Sequence, residues 1–144
     1  MTENDTVRLL KECNSGAEMA VYSINEVLEK VKDPQLFTLL NNCKSFHSEK
    51  ESETESLLND FSAVGKTPNA MAKTMSWMKT NVTLAFDNSD SSVAKVVTDG
   101  CNMGAKALAG FVNEYSNADE SSKKIAEELI KNETQVVEKL RDYL

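Results

Sequence analysis

From Asn4 to Phe61 apolar and small residues recur every three or four positions, broken by a turn at Asp33-Pro34 and by the polar stretch from His47 to Ser56. On the first side run Leu10, Cys13, Ala17, Ala20 with Val21, Ile24, Val27 with Leu28, and Val31; on the second run Leu36, Leu39 with Leu40, Cys43, Phe46, Leu57 with Leu58, and Phe61. That spacing buries one stripe of a helix. An aspartate followed by proline caps and restarts a helix at once. Two long helices joined so briefly must lie antiparallel, so the first half of the chain is constrained to a helical hairpin.

The second half repeats the plan. VGKTPNA, with Gly65 and Pro68, breaks the pattern, and a shorter amphipathic segment over 69–86 presents Met71, Met75, Met78, Val82 and Phe86 on one face. DNSDSS caps a third long helix carrying Val93, Val97, Cys101, Gly104, Leu108, Phe111 and Tyr115. A turn at SNADESS leads to the fourth, with Ile125, Ala126, Leu129, Glu133, Val136, Leu140 and Leu144. The expected helices span about 4–32, 34–63, 69–86, 91–116 and 119–143, in one domain over 1–144. A connection holding its own helix can run back along the bundle, which makes the second and third long helices parallel. With five Gly, two Pro and a formal charge of −7, the all-α expectation is reinforced.

That charge also excludes a nucleic-acid partner, since phosphate binding needs clustered Lys and Arg. No long apolar run or basic leader is present, so neither a membrane span nor a signal peptide is expected. Cytoplasmic residence follows by default. Cys13, Cys43 and Cys101, odd in number and without C-x-x-C spacing, suit a reducing compartment.

An internal similarity links the halves. CNSGAEMAVYSINE, from Cys13 to Glu26, aligns with CNMGAKALAGFVNE, from Cys101 to Glu114, sharing Cys, Asn, Gly, Ala, Asn and Glu. Two related hairpins facing each other about a pseudo-two-fold axis account for it. Glycine inside a helix costs about 1 kcal/mol against alanine, so Gly16 and Gly104 need a compensating gain. Close backbone approach of the first and third helices is the first expectation. A ligand pocket opened by the missing side chains, with Cys13, Asn14, Gly16, Cys101, Asn102 and Gly104 around it, is the other.

The stretch HSEKESETES, from His47 to Ser56, lacks any aliphatic or aromatic side chain, yet the heptad frame turns His47, Lys50 and Thr54 inward. Three readings are open. The helix is kinked or peripheral here, with repulsive Glu49/Glu53 and Glu51/Glu55 pairs; or His47 and Lys50 meet Glu133 and Glu18 in a buried polar network; or the same residues hold a metal or small ligand. No serine has a base and orienter that would mark nucleophilic catalysis, and no catalytic residue is assigned.

Around Trp77-Met78-Lys79, the DNSDSS cap and Asp99-Gly100-Cys101-Asn102-Met103-Gly104 the chain resembles the ferritin-like four-helix bundles, in particular small ferritin-like proteins of anaerobic bacteria. The resemblance implies two antiparallel hairpins joined by a long crossover. Di-iron relatives place a Glu on each of two helices and Glu-x-x-His on the other two. Here there is one histidine, no Glu-x-x-His, and Cys101, Asn102 and Gly104 where the third helix would offer a carboxylate. Glu18, His47, Glu51 and Glu133 are the remnants the comparison allows. The resulting expectation is an interaction or structural bundle without cofactor, with a protein partner or second copy docking on the 69–86 helix. The alternative is an iron- or manganese-binding oxidoreductase or storage protein.

Overall fold

The computed structural model describes residues 4–62 and 89–144. Four α-helices occur among them: α1 (Asp5–Leu28), α2 (Pro34–Asp60), α3 (Asp90–Glu114) and α4 (Glu120–Leu140), with a 3-10 turn over Arg141–Tyr143 and no strand. The short helix expected over 69–86, its methionine face and the partner surface placed there lie outside the described residues.

Each helix starts where a short polar side chain can receive the first free amides. Asn4, Asp33, Ser89 and Asp119 do so, and Pro34 follows Asp33 at the first helical position. α1 stops at Leu28, short of the expected end near 32, because the amides of Lys32 and Asp33 are taken by the carboxylate of Asp90 at 2.8 and 3.1 Å. The opposite end of the molecule mirrors this arrangement. Asp5 accepts from Asn117 N at 3.0 Å, and Thr6 Oγ1 accepts from Asp119 N at 2.8 Å. Each hairpin turn is therefore held by the first turn of the other hairpin's leading helix. The same bonds fix direction: α2 and α3 start at one end, α1 and α4 at the other.

α2 and α4 also bury matching positions. Counted from their caps, Leu36, Leu40, Cys43, His47 and Thr54 fall on Ser122, Ala126, Leu129, Glu133 and Leu140, and all ten are buried. Two apolar clusters fill the ends. Ile24, Leu36, Leu40, Val93, Val97 and Leu140 belong to the one beside the 29–33 turn; Leu9, Leu10, Leu58, Leu108, Ile125 and Leu129 to the one beside the 115–119 turn. Burying a side chain of this size stabilises by roughly 1.5–3 kcal/mol. The middle of the bundle, between the clusters, is polar.

Candidate functional site

α2 is one continuous helix through HSEKESETES, which removes the kinked reading of that stretch. Its inner stripe is narrow: of 27 residues only Leu36, Leu40, Cys43, His47, Thr54 and Leu58 are buried. Thr54 is fully enclosed and hydrogen-bonded on all sides. Its hydroxyl sits 2.8 Å from Lys50 O and 3.0 Å from Glu51 O, and it accepts from Asn14 Nδ2 at 3.1 Å, while the same amide reaches Glu51 O at 3.1 Å. Asn14 is thus a strut between α1 and α2.

His47, about two turns earlier on the same helix, is only 1% exposed and is not closed in this way. Its Nδ1 lies 2.8 Å from Cys43 O, which fixes the Nδ1–H form, because a carbonyl only accepts. That leaves Nε2 directed across the bundle to Glu133 on α4, with 3.7 Å between Nε2 and Oε1. This is beyond a hydrogen bond. Nε2 of His47 and Oε2 of Glu133 are both buried without a partner, as is Ser23 Oγ on α1. Burial alone would push the imidazole down, but the contacts with Cys43 and Glu133 outweigh it and raise His47 to about 10. Burial raises Glu133 as well, against the pull of His47.

Glu133 reaches the centre because α3 has no side chain at Gly104. A Cβ there would stand 2.7 Å from Oε1 and 3.0 Å from Oε2 of Glu133. The gain at this glycine is room for a side chain: a Cβ here would meet a carboxylate, and the gap accommodates the buried acid. Gly16 instead lines a cavity of about 40 Å³ beside that acid. Ser23, Cys43, His47, Cys101, Gly104 and Glu133 border the same space, together with Met19, Ala20, Ile24, Val97, Gly100 and Leu108.

The remaining sequence candidates separate. Glu18 is exposed and Glu51 half-buried, so neither joins His47 and Glu133. Burial, then the carboxylates of Glu18 and Glu55, raise Glu51. Lys50 pairs with Glu128 and, at 3.0 Å, with Glu53, rather than with Glu18. Cys13 is sealed in the apolar cluster, and Asn102, the counterpart of Asn14 in the repeat, faces solvent. Among the described residues no three His, Cys, Asp or Glu side chains come together as a metal donor set. With one histidine in the sequence and only His47 and Glu133 facing each other at the centre, these residues do not fit a metal pair.

Family models, curated proteins and solved structures give no match to this chain.

The chemistry is therefore read from the centre alone. All three cysteines are free. Burial, with Glu12 and Glu133, raises Cys13 to about 12, and burial with Glu133 and Cys43 raises Cys101 well above its ordinary value. Both stay protonated. Cys43 Sγ lies 3.5 Å from His47 Nδ1, but that nitrogen already gives its hydrogen to a carbonyl and has no lone pair to take a proton from the thiol. His47 Nδ1 is therefore not placed to act as a base towards the Cys43 thiol. Ser23, Met19 and Gly100 were missed as site residues. The signal was a small-residue stripe at helical spacing, Gly16-Ala20-Ser23 on α1 and Gly100-Gly104 on α3.

Proposed function

We propose that this protein is a ferritin-like four-helix bundle whose centre takes a small ligand in place of a metal pair, and that it acts as a binding module in the cytoplasm. The ferritin-like reading is supported by helix direction: α2 and α3 start at the same end of the bundle and run parallel, as they do in bundles of two antiparallel hairpins with one long connection. The matched burial on α2 and α4 and the Cys-Asn-x-Gly-Ala repeat support a duplicated hairpin. Among the described residues no helix is long and apolar enough to cross a membrane.

The binding reading rests on one observation: a cavity bordered by three buried polar groups, His47, Glu133 and Ser23, each with an atom that has no partner. Leaving a buried donor or acceptor unmade costs about 1–3 kcal/mol, and natural interiors rarely tolerate several around one void without something to receive them. Dissolved xenon tests for the space. Methyl resonances of Met19, Ala20, Ile24 and Val97 should shift on saturation, while those of the apolar clusters away from the cavity, such as Leu10 and Leu36, should not. Unmoved methyls at all four positions would contradict a binding centre and leave a scaffold or interaction protein with an inert core.

A further inference from the structure

The chemistry of the cavity's polar pole restricts what it accepts. His47 presents Nε2 alone, because Nδ1 is committed to Cys43 O. Oε2 of Glu133 is likewise uncommitted, and its carboxylate fills the space left open at Gly104. While the pair shares one proton, one member donates and the other accepts: imidazolium with carboxylate, or imidazole with carboxylic acid. A group that satisfies both must itself donate and accept. Ketones and ethers only accept, and ammonium groups only donate. Charged guests are further disfavoured, since a carboxylate would meet Glu133 and an ammonium would compete with His47, each after losing its own hydration. The remaining walls are hydrocarbon, from Met19, Ile24, Val97 and Leu108. The volume of about 40 Å³ holds about three water-sized groups.

We infer that the cavity selects a small neutral alcohol, three or four non-hydrogen atoms in size, whose hydroxyl bridges His47 Nε2 and Glu133 Oε2 while its carbon body lies against Met19, Ile24 and Val97. The inference rests on the binding reading above and specifies its ligand class. Ser23 Oγ, buried without a partner on the α1 wall, is a second polar contact for a hydroxyl in this space. Water alone would satisfy the bridge but leave the apolar walls without contacts.

The test is a titration of the full, methyl- and ¹⁵N-labelled chain with four molecules of nearly one shape: 2-propanol, acetone, acetate and isopropylammonium. Saturable shifts at Met19 and Ile24, with a concerted shift at His47 Nε2, should appear for 2-propanol at a concentration roughly tenfold lower than for acetone, the margin set by one buried hydrogen bond. The two ions should bind more weakly still. In E133Q, which keeps the site's shape, the penalty on acetate relative to 2-propanol should shrink. Equal binding of acetone and 2-propanol, or preference for either ion, overturns the alcohol assignment but leaves a ligand cavity standing. Xenon shifts without any alcohol response at His47 do the same. Silence of the methyls towards xenon and all four solutes overturns both readings.

Discussion

Two polar side chains point inward from the same helix, and the bundle treats them in opposite ways. Thr54 is closed: Asn14 bonds to it from α1, and the carbonyls of Lys50 and Glu51 in its own helix receive its hydroxyl. His47 is half open: one nitrogen is bonded to Cys43 O, and the other stops 3.7 Å from the acid facing it. The first contact ties two helices together and needs nothing further. The second holds an acid and a base at the edge of a cavity, each with an unused atom. Burial of a polar residue therefore does not distinguish strut from site; completeness of its bonds does.

The largest test of that contrast removes half of the open pair. His47→Ala leaves the Glu133 carboxylate buried opposite nothing, and urea denaturation should show a loss of about 3–5 kcal/mol. His47→Leu with Glu133→Leu should recover most of it or exceed the parent, because two hydrophobic side chains replace a desolvated pair. Failure of the double variant to recover would mean that the pair is a strut after all. At the closed cluster, Thr54→Val removes one of the two acceptors of the Asn14 amide, leaving one buried N–H unpaired, and should cost about 1–3 kcal/mol with xenon binding unchanged. Loss of xenon binding there would merge the two clusters into one unit.

The glycines of α3 sharpen the comparison on a smaller scale. Gly104→Ala drives a Cβ to 2.7 Å from Glu133 Oε1, so the acid must move. Its overpacking cost of about 1–3 kcal/mol exceeds or cancels the roughly 1 kcal/mol gained in helix propensity. Gly110→Ala, with nothing within 4 Å, should instead stabilise by about 0.5–1 kcal/mol. Equal effects at both glycines in thermal melts would remove the role given to Glu133.

The His47–Glu133 pair also carries a pH dependence. His47 is raised from 6.5 to about 10, so the stability it contributes is complete below 6.5 and is lost as pH climbs towards 10. Glu12, raised from 4.5 to about 7 by burial and by Glu114, adds a loss of the same sign between those values. Melts from pH 5 to 10 should fall in both windows, with the upper one absent in the double leucine variant and the lower one absent in Glu12→Gln.

Much of the architecture was legible because it depends on local chemistry. Asp33-Pro34 and the DNSDSS run announce caps, the three-and-four spacing sets the buried faces, and the heptad frame carried across HSEKESETES turned His47 and Thr54 inward correctly. Inference about what lies opposite is mixed: His47 does face Glu133, as the frame suggests, but other partners differ. A glycine declares that space is needed but not for what: at Gly104 the space takes a side chain from α4. Lys50 was paired with Glu18 and meets Glu128, because a helical frame fixes a face without fixing its partner. Asn14 and Asn102 share a letter in the repeat but not an environment, one bonded across to α2 and the other in solvent. Such facts belong to the packing of whole helices, which residue spacing does not encode.

The most direct measurement is a high-resolution crystal structure of the protein grown at neutral pH in 2-propanol. An ordered hydroxyl within hydrogen-bond distance of both His47 Nε2 and Glu133 Oε2, its carbons against Ile24 and Val97, is the predicted result. A direct His47–Glu133 hydrogen bond across a collapsed centre would contradict it.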